Sequence, residues 1–358
     1  MNMSARVAVI GVSIAGTTCA RLLTDAGHSV RLFDEPGGIG GRMTTRPVEW
    51  LDDDGIVHHS SFDHGAPGFT ARSPDFVRFV DQAVRDGLLA RWVPVVAPGS
   101  HTPLDVATLW VPVPDMLSLC RGMLSDVSIS RACAVAALRR DYDGWSVESA
   151  GPAVAQGFSH VVLAVPPQQA APLLQPHRAD WAQRATVLPM APSWTLMGVT
   201  TDTELAAPTW DLAWSTHGPL AWVVRNDAKP GRHCVPGLAH WVVHATTPWS
   251  QTYLETPVAE VQAMLQQALA QLLGRPLTWH HTALHHWRYA SVPRADASAA
   301  ATGNCWWNAS LSLGVCGDAL GGAGVEGAWT FGRALATSVI DRYRAAPAVA
   351  GLTAARAC

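Results

Sequence analysis

The residues best suited to chemistry near the start of the chain are two glycines and a carboxylate. Gly11 and Gly16 lie in the stretch "GVSIAG", Ser13 stands where such a loop usually has its middle glycine, and Asp34 lies 18 residues beyond Gly16. A glycine turn that opens a helix presents backbone N–H groups to a pyrophosphate, and an acid at this distance accepts hydrogen bonds from ribose hydroxyls. The small side chain of Ser13 still permits a phosphate to approach. The spacing predicts a nucleotide-binding site; the alternative is an ordinary strand-turn-helix connection.

A second glycine-rich stretch, "EPGGIGGRMTTR", follows closely and supplies Gly40, Gly41 and Arg42. A nicotinamide dehydrogenase has no need of a second loop at this place. A larger cofactor that continues from the pyrophosphate across the sheet needs backbone that can approach it along its length. The pair of loops therefore favours a flavin over a nicotinamide cofactor.

A third candidate stretch, "LGVCGDALGGAGVEGAWTFGRALA", lies near the other end of the chain and contains Asp318. Its glycines precede an apolar helix that we expect to begin near Gly327, and the family resemblance described below implies a strand that ends at Asp318. The N-terminus of a helix stabilises a nearby anion by about 0.3 to 2 kcal/mol. The alternative is a glycine-rich turn that caps a core helix.

Regular elements must hold these residues in place, and the sequence predicts most of them. "RVAVI" is typical of a strand buried on both faces of a parallel sheet, "TTCARLLTDAG" of a helix that ends at Gly27, and "HSVRLFDE" of a second strand. "HVVLAVP" predicts another buried strand. The stretch 127–149 alternates as an antiparallel hairpin with its turn at Asp143 and Gly144, and "PVAEVQAMLQQALAQLLG" predicts a helix closed by Gly274.

The composition favours a globular protein with a small-molecule partner. A net charge of -3 with 15% charged residues offers no electrostatic footprint for nucleic acid or for an anionic membrane, so neither partner is expected. The seven cysteines are odd in number and widely spaced, which argues against a disulfide framework. A reducing, cytoplasmic location fits this pattern.

The motifs taken in order resemble the renalase-like branch of the flavin-dependent amine oxidase superfamily. Those that carry the resemblance are "GGRMTTR", "SFDHGAPGFTARSPDF", "HVVLAVPPQQAAPLL", "LAWVVRNDAKPGR", "HHWRYA" and "LGVCGDALGGAGVEGAWTFG", within residues 5–343. The resemblance implies FAD as the cofactor, with Asp318 on its ribityl and phosphate side, Val135 at the adenine and the last helix at the pyrimidine edge of the flavin. The cofactor-binding residues that follow from the loops and the resemblance are Gly11, Ser13, Ile14, Ala15, Gly16, Asp34, Glu35, Gly40, Gly41, Arg42, His64, Gly65, Ala66, Val135, Gly317, Asp318, Val325, Glu326 and Ala328.

The predicted fold class is α/β, or α+β overall, with a Rossmann-like FAD-binding domain and a discontinuous second domain built on a mixed β-sheet with helices. We expect the FAD-binding domain to comprise residues 1–72, 104–166 and 301–345. The substrate-binding domain would comprise 73–103 and 167–300, where tryptophan, histidine and proline are frequent. Residues 346–358 are expected to form a C-terminal tail.

The resemblance also implies an activity, that of an oxidase. A hydride would pass from a small molecule to flavin N5, and dioxygen would take the electrons to give hydrogen peroxide. Renalase-like enzymes act on dihydro isomers of NAD(P). The family usually reads D-H-G-A-Q-Y-F-T, whereas this chain has Pro67 and Gly68 in place of Gln and Tyr, so an oxidase of an amine or indole-like metabolite is an alternative. A flavin-free binding module of the same fold is a further alternative.

The substrate pocket is less well marked than the cofactor loops. Pro67, Gly68, Trp241, Trp287 and Trp329 are its candidates, and no residue stands out as a catalytic acid or base. The single lysine, Lys229, lies in the turn-like "NDAKPGR", so we expect it at the surface rather than beside the flavin. His281 and His285 have the i, i+4 spacing of a metal pair, but no acidic third ligand accompanies them, and we expect no metal site.

Overall fold

The elements follow one another in the order expected for strands interleaved with helices. The computed structural model describes residues 4–35, 38–52, 54–100, 108–149, 153–202, 208–291, 305–320, 322 and 324–345. The strands are β1 Arg6–Ile10, β2 Ser29–Phe33, β3 Arg46–Leu51, β4 Val57–Phe62, β5 Leu89–Trp92, β6 Leu109–Pro112, β7 Ser128–Ser130, β8 Val135–Asp141, β9 Gly144–Ser149, β10 Ala153–Phe158, β11 His160–Leu163, β12 Ala191–Thr201, β13 Leu212–Trp214, β14 Leu220–Arg225, β15 Leu238–Ala245, β16 Trp279–Ser291, β17 Trp306–Asn308 and β18 Leu313–Val315. The helices are α1 Ile14–Asp25, α2 Pro74–Arg85, α3 Ser118–Met123, α4 Pro167–Leu174, α5 Ala179–Val187, α6 Thr247–Thr252, α7 Val258–Leu273 and α8 Gly324–Ala345, with 3-10 turns at Asn226–Ala228 and Asp318–Leu320.

A six-stranded sheet forms the first layer and carries the nucleotide-type loops. Its order is β17-β18-β11-β1-β2-β7, and all pairs except β17 with β18 are parallel. Four of the five residues of β1 are buried, because helices cover both faces of a parallel sheet. The Rossmann-like part of the predicted fold class is confirmed.

Helices α1 and α8 pack directly against each other over this sheet. A side chain at Gly332 would bring its Cβ within 2.2 Å of the Ala15 carbonyl oxygen, so only glycine permits this close approach. The contact brings the last of the described helices against the first. It therefore joins the two ends of the sequence at one site.

A five-stranded antiparallel sheet forms the second layer, in the order β13-β14-β15-β12-β16. Helix α7 covers one face through Val261, Leu265 and Leu269, which pack with Leu196 and Val243. The other face packs on the hairpin of β3 and β4, where Trp50 and Phe62 meet Met197, Val199 and Val242. The predicted mixed architecture, a Rossmann-like layer beside a second sheet with helices, is confirmed.

Several local predictions are confirmed as well. Helix α7 ends at Gly274, whose φ of 66° is left-handed, as predicted. The predicted hairpin is confirmed for β8 and β9, but its turn consists of Tyr142 and Asp143, and Gly144 already belongs to β9. Strand β7 does not join this hairpin, because it pairs in parallel with β2. Helix α8, however, begins at Gly324, one turn before the predicted start near Gly327. The prediction was wrong because three glycines in six residues interrupt the apolar pattern by which a helix is recognised. Glycine can nevertheless occupy the first turn of a helix.

The packing of the core departs from the predicted domain bounds at two places. Phe76 and Val80 of α2, and Leu174 and Trp181 of α4 and α5, are buried in the same cluster as the six-stranded sheet, although 73–103 and 167–300 were expected in the second domain. The bounds themselves stay a prediction. The predicted tail, 346–358, lies outside the described residues.

Among the described helices, none combines the length and the apolar character needed to cross a bilayer.

Candidate functional site

The turn after β1 requires its glycines for steric reasons. Gly11 has a φ of +99°, and a Cβ there would lie 2.6 Å from the Ala164 carbonyl oxygen. A Cβ at Gly16 would lie 2.1 Å from the carbonyl oxygen of Gly11. The start of α1 is therefore held against the end of β1, in the arrangement that suits a pyrophosphate.

The N-terminus of α1 keeps its donors available. Ser13 is the N-cap, but its hydroxyl donates to the Ala164 carbonyl at 3.1 Å and makes no capping bond to the helix. The first turn, which contains Ile14, Ala15 and Gly16, has no acidic residue. Uncapped N–H groups and the helix dipole favour an anion here.

The second glycine loop lies directly beside the first. The amide of Gly40 donates to the Val12 carbonyl at 2.8 Å, and Ser13 and Gly40 form an isolated parallel bridge. Gly41 has a φ of +58°, and a Cβ there would lie 3.2 Å from the Cβ of Ser13. The two predicted loops thus form one continuous cradle.

Asp34 lies at one end of this cradle beside a cavity of about 340 Å³. Burial raises the pKa of its carboxyl group to about 6, the neighbouring Glu35 carboxylate adds to the rise, and Arg131 opposes it. The cavity is lined by Asp34, Glu35, Gly38, Ile39, Thr44, Thr45, Pro47, Leu117, Arg121, Arg131 and Ala132. The backbone of Asp34 pairs with Ser130 and Cys133, so Val135, at the start of β8, follows within two residues.

Arg42 joins the second glycine loop to the C-terminal part of the chain. Its guanidinium donates to Oδ1 and Oδ2 of Asp318 at 2.6 and 2.9 Å, and also to the Ala290 carbonyl at 3.1 Å. Asp318 is buried and follows β18, while a Cβ at Gly317 would meet nothing within 4 Å. The structure therefore brings together three stretches that the sequence singled out separately.

At the start of α8, two of the three predicted cofactor-binding residues have side chains that contact other parts of the protein. The Glu326 carboxylate accepts hydrogen bonds from the backbone amides of Arg72 and Ser73 at 3.0 and 2.7 Å, so it is bonded to the start of α2. Ala328 is buried in the core of the first layer, in the second turn of α8, whereas Val325 is half-buried in the first turn. The carboxylate of Glu326 is thus bonded to the chain itself, and the assignment of Glu326 to the cofactor site stays a prediction.

The loop from His64 to Gly68 packs on the second glycine loop. The amide of Ala66 donates to the Arg42 carbonyl at 2.8 Å, and a Cβ at Gly65 would lie 1.9 Å from that oxygen. Pro67 and Gly68 are half-buried. The loop is thereby fixed beside Arg42, as a cofactor-facing segment requires.

Side chains of the second sheet hold this loop from the other side. His244 Nε2 bonds the Gly65 carbonyl at 2.7 Å, and Trp287 Nε1 donates to the His64 carbonyl at 2.9 Å. The rings of His64 and Trp287 stack with centroids 5.2 Å apart, and His285 lies 4.9 Å from His64. Burial lowers the pKa of His64 and of His244 to about 4, so both rings are neutral at neutral pH.

Two of the predicted pocket tryptophans lie elsewhere. Trp241 is fully buried on the α7 side of the second sheet and donates to Thr200 Oγ1. The next residue, Val242, lies on the opposite face. Trp329 packs against Phe76 between α8 and α2. Both pocket assignments were wrong, since successive residues of β15 point to opposite faces and Trp329 belongs to a helix interface.

Lys229 is buried rather than at the surface. Its Nζ donates to Asp63 Oδ2 at 3.0 Å, and Arg232 Nη2 donates to the same oxygen at 2.7 Å. Thr45 Oγ1 donates to the other carboxylate oxygen at 2.6 Å. The surface prediction was wrong because the turn "NDAKPGR" is covered by a carboxylate from a distant segment, which no local pattern reveals.

Sequence reasoning missed Asp63, His244 and Thr195, the residue of β12 that pairs with His244 of β15, as members of this neighbourhood. The signal for His244 was present, because in "HWVVHA" alternate residues share a face and His240 and His244 therefore lie together. Thr195 carried no comparable signal. Among the described residues, no group of three or more metal-type ligands is placed to hold an ion.

Comparisons with known proteins agree with this geometry. A family model described as an NAD(P)-binding Rossmann-like domain matches residues 9–83. An L-amino-acid oxidase from Siganus canaliculatus is 39% identical over 67 residues, a match that spans 18% of this chain and 12% of that relative. The shared region is thus confined to a small part of the relative.

Solved structures match over nearly the whole chain. A protein described as a protoporphyrinogen oxidase from Exiguobacterium sp. 255-15 has a TM-score of 0.69 at 11% identity, covering 96% of this chain and 100% of that one. Cyclohexylamine oxidase from Brevibacterium oxydans IH-35A has a TM-score of 0.57 at 13% identity, with coverage of 96% and 100%. A putrescine oxidase has a TM-score of 0.57 at 12% identity, with coverage of 95% and 100%. The chain shares the fold of these oxidases.

Proposed function

We propose that this protein is an FAD-dependent oxidoreductase of the oxidase type. A bound flavin would accept a hydride from a small-molecule substrate at N5, and dioxygen would then take two electrons and two protons to give hydrogen peroxide. The observation that carries the proposal is the meeting of three distant segments in one cradle. Ser13 lies beside Gly40, and Arg42 is paired with Asp318.

The residues present fit such a cofactor. Gly11 and Gly16 allow α1 to begin close to β1, and its uncapped N-terminus suits a pyrophosphate. Asp34 lies beside a cavity where ribose hydroxyls can donate to its carboxylate. Arg42 supplies a cation for the phosphates, and the open side of Gly317 leaves room for a ribityl chain next to Asp318.

A flavin supplies the two-electron chemistry itself when it is bound, so the protein has to bind, orient and shield. The loop from His64 to Ala66 is held between Arg42 and the second sheet, which fixes the wall of the site. Burial lowers the pKa of His64 and of His244 to about 4, so both rings have a low affinity for a proton and are poor general bases. We therefore propose that hydride transfer proceeds here without a protein general base.

For the substrate we propose the dihydro isomers of NAD(P) that renalase-like enzymes oxidise, supported by the resemblance of the motifs. A second candidate, an amine or indole-like metabolite, is favoured by Pro67 and Gly68, since Pro67 has no N–H and the Tyr of the family pattern is absent. The similar structures include oxidases named for cyclohexylamine and putrescine. We also propose a cytoplasmic location, because the cysteines of the described residues are free thiols.

The test begins with the cofactor. Protein purified from flavin-rich cells is expected to be yellow, and dialysed protein is expected to take up FAD again. Protein that stays colourless and takes up no FAD would instead support a flavin-free binding module.

Peroxide release then separates the substrate candidates. We expect release with dihydro-NAD(P) isomers to exceed that with alkyl amines. The Pro67→Gln, Gly68→Tyr double variant should release peroxide faster with the isomers if these positions alone remodel the pocket. If the wild-type protein already oxidises the isomers at rates typical of enzymes, then Pro67 and Gly68 have not remodelled the pocket.

A further inference from the structure

Two cysteines stand opposite each other at the end of the six-stranded sheet. In the antiparallel pair of β17 and β18, Trp306 faces Val315. One step further along the ladder places Cys305 opposite Cys316, because one strand is counted backward while the other is counted forward. The register therefore brings two thiols together at the point where β18 ends.

The hydrogen bonds of β18 define the kind of pair that these cysteines form. The amide of Cys316 donates to the Leu163 carbonyl at 2.9 Å, so the backbone of Cys316 is bonded to β11 and not to β17. Cys305 and Cys316 thus form a non-hydrogen-bonded pair, in which the Cα atoms lie about 4.5 Å apart. A disulfide joins residues whose Cα atoms are about 4.4 to 6.8 Å apart, so the backbone spacing already permits the bond.

Both side chains point to the same side of the sheet, toward α8. The Sγ of Cys305 lies 3.8 Å from Ser338 Oγ. A Cβ at Gly314 would lie 2.5 Å from Leu335 Cδ1, and Cys316 shares the face of Gly314 because alternate residues of a strand project to the same side. Leu335 and Ser338 are one turn apart on α8. The two sulfur atoms therefore meet beneath one helix.

The two thiols differ in their access to solvent. Cys316 is fully buried and Cys305 is half-buried, and both are free thiols in this structure. Burial raises the pKa of both, and the hydrogen bond to Ser338 partly opposes the rise at Cys305. Because the thiolate is the nucleophile, Cys305 is the first to react with an oxidant and it reacts slowly.

A third thiol, that of Cys19 on α1, lies near enough to add to the rise in the pKa of Cys316. Cys19 is completely buried, and it lies on a helix rather than on a strand in register with β18. An oxidant therefore has better access to Cys305 than to Cys19, and Cys305 is the partner that the geometry favours.

We propose that Cys305 and Cys316 are a site of reversible oxidation by hydrogen peroxide, which joins them in a disulfide that fastens the edge strand β17 to β18. The Cys305 thiolate attacks one oxygen of the peroxide, the O–O bond breaks, and the departing hydroxide takes up a proton, which leaves a sulfenic acid and water. The sulfur of Cys316 then displaces the hydroxyl group of the sulfenic acid, and the thiol proton leaves with it as a second water. Two thiols and one peroxide thus give one disulfide and two waters.

The position of the pair connects it to the cofactor site. Cys316 is followed by Gly317 and by Asp318, the residue that pairs with Arg42. The disulfide would therefore tie the edge of the sheet to the segment that enters the cradle. The oxidase reaction supplies the peroxide, so the source of the oxidant rests on the proposed function, whereas the chemistry of the pair does not.

The first test maps the bond in the purified full-length protein. Peroxide is added directly, the remaining thiols are blocked with iodoacetamide after denaturation, and chymotryptic peptides are analysed by mass spectrometry. Chymotrypsin cuts after Trp306 and Trp307, so the peptides that contain Cys305 and Cys316 stay joined only through a disulfide. We expect the joined peptides after peroxide treatment and their separation by dithiothreitol. Their absence, or a bond between Cys316 and Cys19, overturns the proposal.

The second test measures the effect of the bond on stability. The disulfide closes a short ring and restricts the unfolded chain, so oxidised protein is expected to melt about 2 to 6 °C above the same protein treated with dithiothreitol. Cys305→Ser should abolish this shift, whereas Cys234→Ser, which removes an exposed cysteine, should keep it. A shift that persists in Cys305→Ser, or that is absent in wild-type protein with the mapped bond, contradicts the fastening of β17.

The proposed function and the thiol site fail in different ways. Because the peroxide is added, the mapping does not require a bound flavin. Protein that binds no FAD but forms the bond contradicts only the proposed function. Protein that binds FAD and releases peroxide, but forms no bond even with added peroxide, contradicts only the thiol site.

Discussion

At the scale of single residues, the carboxyl group of Asp34 is expected to make the affinity for the proposed FAD depend on pH. Its pKa of about 6 means that it is ionised at neutral pH and protonated below. Ribose hydroxyls donate to the ionised form, so we expect the Kd for FAD to be nearly constant above pH ~7 and to rise as the pH falls through ~6. Equilibrium dialysis over this range measures the effect.

The matched variant is Asp34→Ala. Loss of two hydrogen bonds to a charged acceptor corresponds to about 3 kcal/mol, or roughly a hundredfold weaker FAD binding. The pH dependence between ~5 and ~7 should disappear with it. A variant that keeps the wild-type affinity would remove Asp34 from the site.

Asp63 is the second residue whose charge has a large expected effect. Asp63→Asn leaves Lys229 and Arg232 buried without a counter-charge, and the free energy of unfolding should fall by about 3 to 5 kcal/mol. Lys229→Met should lower the free energy of unfolding by less, because Arg232 still neutralises the Asp63 carboxylate. Urea unfolding measures both variants.

The control for Asp63 is Asp75→Asn. Asp75 pairs with Arg78 and Arg333 at the surface, and exposed pairs contribute about 0 to 1 kcal/mol. Equal losses in the buried and exposed variants would show that burial does not increase the contribution of the Asp63 cluster to stability.

At the scale of elements, the start of α2 depends on a side chain from α8. Glu326 accepts the amides of Arg72 and Ser73, whereas the Ser73 side chain makes no capping bond. Glu326→Ala should therefore lower stability by about 0.5 to 2 kcal/mol, as loss of an N-cap does, and speed amide exchange in α2. Ser73→Ala is the matched control and should change little; a larger loss in Ser73→Ala would contradict this capping arrangement.

Elements with a strong local signal were predictable from the sequence. Helix α7 has a clear apolar period and ends at Gly274, and β1 is a short buried run followed by a glycine turn. The start of α8 was misplaced because its glycines carry no period. Trp241 was misassigned because its face depends on the register of β15 with its neighbours, and register is not a local property.

The candidate site likewise has a part that the sequence predicts and a part that it does not. The glycine loops and Asp34 are fixed by spacing within one strand-helix-strand unit, so the sequence predicts them directly. The pairing of Arg42 with Asp318, and the burial of Lys229 by Asp63, join segments far apart in the chain. Such contacts depend on the complete fold, and the sequence pattern alone does not contain them.

At the scale of the whole molecule, cofactor binding should stabilise every layer at once. The cradle takes Gly11 from one end of the chain and Asp318 from the other, and its loop is bonded to the second sheet through His244. FAD at a hundred times its Kd is expected to add about 2.7 kcal/mol to the free energy of unfolding. A thermal melt with and without FAD measures this.

Asp75→Asn should retain the FAD-dependent shift, because Asp75 lies at the surface between α2 and α8. Asp318→Ala should reduce the shift by weakening binding. A wild-type melt that FAD leaves unchanged would contradict the proposed cradle.

The pairing of Arg42 with Asp318 spans 276 positions, and it sets an order of events during biosynthesis. A chain that is only half synthesised holds an incomplete cradle, so we expect the proposed flavin to bind only after β18 has been synthesised. Polypeptides that end before β18 lack Asp318 and also lack the strand that pairs with β11. The edge of β11 is then unpaired and can pair with other chains, which promotes aggregation. Flavin supply in the cell would therefore protect finished molecules while leaving prematurely ended ones to proteolysis.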